Sequence, residues 1–220
     1  AARHHALAME QMDELRARGA GIARATPMVF LAGLLAVGLF SGVLRKIRLQ
    51  LDRQRVRALH GSLYDALTGL PNRALLADRF EQALRTGRRD GSATGLLLID
   101  LDRFKAINDT LGHQFGDRVL AQIGTRLAGA VPEMGTVARL GGDEFAVVLP
   151  AAEGIEGAIA VARLLGTTLA EPFDLDGVDL LVEASIGVVI SGIHGDDSAT
   201  LLQRADVAMY AAKNQGGGVA

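Results

Sequence analysis

The chain has 220 residues, 49% of them hydrophobic and 22% charged, too apolar for a disordered protein and long enough for one packed domain plus further segments. A formal net charge of -2 and only 4% aromatics supply neither the basic field nor the stacking surface of a nucleic-acid binder, so no nucleic-acid partner is expected. Cysteine is absent, which excludes disulfides, zinc thiolates and thiol nucleophiles.

The chain opens on Ala1 rather than methionine, and is expected to be a piece of a longer protein. Residues 25–44 carry no charge, and about 20 such residues at roughly 1.5 Å each match a hydrocarbon core of about 30 Å. One transmembrane helix is predicted there; a cleaved signal peptide would have a shorter apolar region, about 7–15 residues. Arg45, Lys46, Arg48, Arg53, Arg55 and Arg57 follow the span, against Arg16, Arg18 and Arg24 before it. The C-terminal side is therefore expected to be cytoplasmic, with 1–24 an extracytoplasmic segment. The localisation expected is the inner (plasma) membrane, single-pass. Residues 45–64 read as a basic linker helix with Leu49, Val56 and Leu63 at heptad spacing. It is either a short parallel coiled coil, with Asp52 spoiling the seam, or a helix lying near anionic headgroups.

From 65 to 220 the pattern becomes that of a mixed domain. A helix is predicted over 73–85, with Leu75, Leu76, Phe80, Ala83 and Leu84 on one face, then a loop over 86–94. The short apolar run 95–99 reads as a buried strand ending at Asp100-Leu101-Asp102. A helix from about Asp117 carries Val119, Leu120, Ile123, Leu127 and Val131 in register. Strands at 136–140 and 144–149 joined by Gly141-Gly142 form a hairpin, and 173–175 with 178–182 around Asp176-Gly177 a second. A helix over 158–169, a strand over 185–190 and a last helix from Ser198, its expected N-cap, to a stop at Gly216 complete the pattern. Helices and hairpins interleaved around one sheet give the class α+β.

If the 95–99 strand and the Gly-Gly hairpin are neighbours, Asp100, Asp143 and Glu144 converge. Such a cluster repels itself unless a cation sits among it, and hard oxygen ligands suit Mg2+ or Mn2+. The two glycines allow a tight turn and let a phosphate chain approach the backbone.

Asp65-Ala66-Leu67-Thr68-Gly69-Leu70-Pro71-Asn72-Arg73, Asp100 to Asp109, Gly112-His113, Gly116-Asp117, Arg139 to Phe145 and Ala205-Asp206 through Lys213 stand in order at fixed spacing. Together they resemble the motifs of the GGDEF family of diguanylate cyclases from about Leu63 to the end of the chain. The resemblance implies a palm-like nucleotidyl-cyclase fold with a central antiparallel sheet and flanking helices. It implies a homodimer in which each subunit holds one GTP and two GTP condense to cyclic di-GMP plus pyrophosphate. By position, Asp100, the Leu101 carbonyl, Asp143 and Glu144 would bind the metal, with Asp143 and Glu144 catalytic. Asn108 and Asp117 would read guanine, whose O6 acceptor and N1 and N2 donors they complement, with Leu120 packing on the base. Gly141 and Gly142 would admit the phosphates, and Lys105 and Lys213 would hold them.

The sequence departs from that pattern twice. Gly217 stands where the family has an arginine on the triphosphate; losing one such bond weakens GTP binding by about 1–3 kcal/mol. Pro132-Glu133-Met134-Gly135 stands where the family has the R-x-x-D of product inhibition, so no feedback by that route is expected. The alternative expectation, motivated by Gly217, is a catalytically weak or inactive GTP-binding regulatory module.

Overall fold

The computed structural model describes residues 45–46 and 63–220. The expected span 25–44 and nearly all of the linker helix lie outside the described residues. Among the described residues no helix is long and apolar enough to cross a membrane. The chain divides into the units Ala1–Ala58 and Leu59–Ala220, and the description below concerns the second.

Its elements in order are α1 (Arg73–Asp90), β1 (Ala93–Leu101), α2 (Phe104–Leu111), α3 (His113–Ala130), β2 (Thr136–Gly141), β3 (Glu144–Ala152), α4 (Gly154–Ala170), β4 (Phe173–Leu175), β5 (Val178–Leu180), β6 (Ala184–Ile190), α5 (Ser198–Asn214) and β7 (Gly218–Val219). Five strands form one sheet in the order β2-β3-β1-β6-β7, and β4 and β5 pair separately. All neighbours in the larger sheet are antiparallel except β6 and β7. The sheet is therefore mixed, where a purely antiparallel one was expected. The parallel addition is β7, whose end is tied to β6 by bonds from Val188 N–H to the Ala220 carbonyl and from Ala220 N–H to the Ile186 carbonyl.

Period-two alternation sorts β1 between two cores. Leu97, Ile99 and Leu101 pack with α3 and α4 through Ile123, Leu127, Ala162 and Leu165. Leu96 and Leu98 pack on the other face with α1 and α5 through Phe80, Leu84, Leu201 and Ala205. Asp100 continues the second set, so its side chain lies on the face that α1 and α5 cover.

Several expected boundaries move. The first helix continues to Asp90, because Gly87 stays helical and Gly91, at φ 73, supplies the left-handed stop. The helix expected from Asp117 starts at His113, and α2 lies ahead of it. The N-cap of α5 is Asp197, which accepts from Thr200 N–H at 2.9 Å, while Ser198 hydrogen-bonds Glu81 instead.

Candidate active site

Register places the acidic groups. β1 pairs with β3 so that Asp100 faces Glu144, and with β6 so that Asp100 faces Ser185. One residue on, Leu101 N–H donates to the Asp143 carbonyl at 3.3 Å, so the hairpin turn lies against the end of β1. The turn needs its glycines: Gly141 has φ 140 and Gly142 φ 55, conformations that side chains disfavour.

Lys213 reaches this place along one face of α5. Ala205, Met209 and Lys213 recur every four residues and so share that face. Gly187 in β6 lies directly beneath the Ala205–Met209 backbone, where a Cβ would collide. The close approach lets the helix lie low on the sheet, and one turn later the Lys213 ammonium sits 2.6 Å from the Asp100 carboxylate. That hydrogen bond lifts the ammonium above its ordinary pKa; partial burial works against the lift, and Asp143 and Asp102 add to it. Lys213 is therefore charged throughout the physiological range.

Glu144 is approached from the opposite side. Asn72 caps α1, its side chain accepting from Ala74 and Leu75 amides at 3.0 and 3.2 Å, and the next residue, Arg73, lies 3.5 Å from Glu144. Both partners are well exposed, so this pair contributes little to stability. A cavity of about 260 Å³ opens beside it, lined by Arg73, Leu98, Leu140, Glu144, Asp206 and Met209 among others.

The three-carboxylate convergence expected from the sequence takes a different form. Asp100 is paired with Lys213 and Glu144 with Arg73, and among the described residues no group of three His, Asp or Glu is gathered as a metal-holding set. The donor chemistry nonetheless suits a divalent cation. Asp100, Asp102 and Asp143 all favour the charged form of the Lys213 ammonium, and carboxylate and carbonyl oxygens are hard donors.

Three further residues hold the turn, and their roles were not read from the sequence. The Arg139 guanidinium donates to the Gly142 carbonyl at 3.1 and 2.7 Å and to both oxygens of Asp65 at 3.0 and 3.2 Å. Asp65 also accepts from the Thr68 amide and hydroxyl at 2.9 and 2.8 Å. Burial alone would raise the Asp65 carboxyl, but Thr68 and Arg139 outweigh it and hold the group below its ordinary value. The only available signal was motif membership, which does not say which partner each residue takes.

Asp102 accepts from the Ser185 hydroxyl at 2.8 Å through one oxygen, and its other oxygen is buried without a partner among the described residues. That second oxygen faces Gly217, where a Cβ would come within 2.9 Å. Gly217 has φ 99, a conformation that an arginine in its place would rarely adopt.

Of the expected base readers, Asn108 lies on α2 and the exposed Asp117 in the second turn of α3, brought together by a turn at Gly112 with φ 85. Leu120 is a core residue, 3% exposed and packed with Phe104 and Val119. Lys105 is exposed on the first turn of α2.

Known proteins resemble this chain in sequence and fold. The family described as diguanylate cyclase, GGDEF domain, matches residues 62–218. The diguanylate cyclase TpbB of Pseudomonas aeruginosa is 42% identical over 171 residues, covering 77% of this chain and 39% of that protein. The chain spans well under half the length of the curated relatives it matches. Among solved structures, the GGDEF domain of TpbB is similar with a TM-score of 0.69 at 43% identity, covering 71% of this chain and 91% of that one. The coiled coil and GGDEF domain of DgcB from Caulobacter crescentus, solved in complex with c-di-GMP, gives a TM-score of 0.71 at 25% identity, covering 84% and 99%. The chain thus belongs to the GGDEF domain family of diguanylate cyclases.

Proposed function

We propose that this chain is a diguanylate cyclase that condenses two GTP into cyclic di-GMP with release of pyrophosphate, in a site completed by a second copy. The observation that carries this reading is the register that sets Asp100 against Glu144, with the Gly141-Gly142 turn beside them and the Lys213 ammonium on Asp100.

Asn108 and Asp117 read the guanine edge, and Leu120 supports that wall from within the core. Lys105 and Lys213 hold the triphosphate as point charges. Gly141 and Gly142 let it approach the backbone, and Asp143 accepts the proton of the attacking 3′-hydroxyl. Asp100, the Leu101 carbonyl, Asp143 and Glu144 would hold a divalent cation, Mg2+ or Mn2+, whose chemistry is to neutralise charge on the α-phosphate and the leaving pyrophosphate. Arg139 keeps the turn in place. Each copy's 3′-hydroxyl attacks the α-phosphate of the nucleotide on the other, so two half-sites must face each other.

In the same reading the uncharged stretch 25–44 anchors the chain in the inner membrane by a single span, and the basic residues after it keep the GGDEF domain in the cytoplasm. Incubating the chain with GTP and Mg2+ is expected to yield cyclic di-GMP, identified by chromatography and mass spectrometry. Absence of product at every protein concentration overturns the reading. Gly217 favours a second one, a regulatory module that binds GTP with little turnover; measured GTP affinity without product supports it.

A further inference from the structure

The two base readers stand on different helices, and one place where those helices touch is Gly116, buried one residue before Asp117. A Cβ on Gly116 would run into the Asn108 side-chain oxygen, and would come within 3.2 Å of Phe104 Cζ. The Asn108 amide therefore rests on the bare backbone of α3.

We propose that Gly116 is a positioning residue for purine recognition. By lacking a Cβ it seats the Asn108 oxygen against α3, which turns the NH2 end of that amide away from the helix, as a donor for the base O6. Asp117, next in the chain, supplies the acceptor for N1–H and N2–H. An adenine-like edge sets an amino group against the Asn108 donor, and two donors cannot pair. The inference rests on the reading of this site as a guanine nucleotide site.

The experiment measures equilibrium binding of three nucleotides to the full 220-residue chain in detergent with Mg2+. GTP and ITP both keep O6; 2,6-diaminopurine riboside triphosphate carries an amino group there. The unaltered chain should prefer the first two. Gly116→Ala displaces the amide and should weaken GTP and ITP alike by about ten- to hundredfold, the range for one lost hydrogen bond to a buried group, while leaving the third nucleotide unchanged. Asn108→Ala should reproduce that loss, and adding Gly116→Ala to it should change nothing further, because the obstructed atom is gone.

Equal weakening of all three nucleotides, a preference retained in Gly116→Ala, or losses that add in the double variant would each overturn the inference. If Gly116→Ala alone does not fold, the double variant should fold and bind as Asn108→Ala does; its failure to fold would show that α3 needs the glycine independently of Asn108. An unaltered chain that binds none of the three overturns the proposed function and this inference together. One that prefers GTP while Gly116→Ala keeps the preference overturns this inference alone.

Discussion

The Arg139 guanidinium and the Asp65 carboxylate, 74 residues apart in sequence, form a two-bond pair beside the Gly-Gly turn. Only 11% and 23% of the two side chains are exposed, so the pair is largely withdrawn from water, and the same guanidinium holds the Gly142 carbonyl. Arg139→Ala strands both acceptors and should lower unfolding stability by about 2–3 kcal/mol, read by urea denaturation. Turnover should fall more than stability accounts for, because the turn carrying Asp143 loses its clamp. A variant with normal turnover and unchanged denaturation midpoint would contradict this.

The same pair sets an acid dependence. The Asp65 carboxyl lies below its ordinary value in the folded chain, through the Thr68 and Arg139 bonds that outweigh burial. A lowered pKa stabilises the fold above the unfolded-state value of about 3.9, and the contribution disappears as pH falls through the lower folded value. The stability gap between the unaltered chain and Asp65→Asn should be constant from pH 7 to about 5 and close in stronger acid. A gap that widens on acidification has the wrong sign for this account.

The two turn glycines should not be equivalent. Neither would meet another atom through an added Cβ, so the cost of alanine is backbone strain alone. Gly142, at φ 55, occupies the ordinary left-handed region, and alanine there should cost about 1 kcal/mol. Gly141, at φ 140, lies where side chains are rarely found, and alanine there should cost about 2–3 kcal/mol. Thermal unfolding of the two variants side by side reads the order.

Lys213 serves Asp100 in the structure and the triphosphate in the proposed reaction. Lys213→Met removes a charge-assisted bond to phosphate and should raise the KM for GTP by about ten- to hundredfold. The Lys213 side chain is 44% exposed but that of its partner Asp100 only 13%, so the variant leaves a largely buried carboxylate unpaired and the melting temperature should fall as well. An unaltered KM would remove Lys213 from the phosphate-holding group.

The proposed reaction needs two copies, so turnover should depend on their encounter. Product formation should rise more than linearly with protein concentration until the chain is dimeric. Strict proportionality down to nanomolar protein would show that one copy suffices.

Much of this was legible from periodicity, and the losses have physical causes. The long helices α1, α3, α4 and α5 repeat their apolar residues over several turns, so the pattern accumulates. The helix α2 has only eight residues and one buried side chain, Phe104, and it starts after Arg103 at φ 56; two turns with one anchor leave no period to read. The two-residue strand β7 is held by main-chain bonds just past its end, at Ala220, and carries no alternation. For the candidate site, the motifs placed Asp100 beside the turn through strand register. They could not show that Lys213, 113 residues away, would sit on Asp100, because that depends on how closely α5 rides over Gly187.

The sheet's two margins govern how copies of this domain can meet. At one margin, β2 is engaged by the entering chain, where Arg139 N–H bonds the Pro71 carbonyl and Asn72 bridges alongside. At the other, β7 is only two residues long. Neither margin is a long uninterrupted rail of free amides on which a neighbour's strand could zip. Copies of this domain should therefore have little tendency to fuse into a continuous cross-strand aggregate.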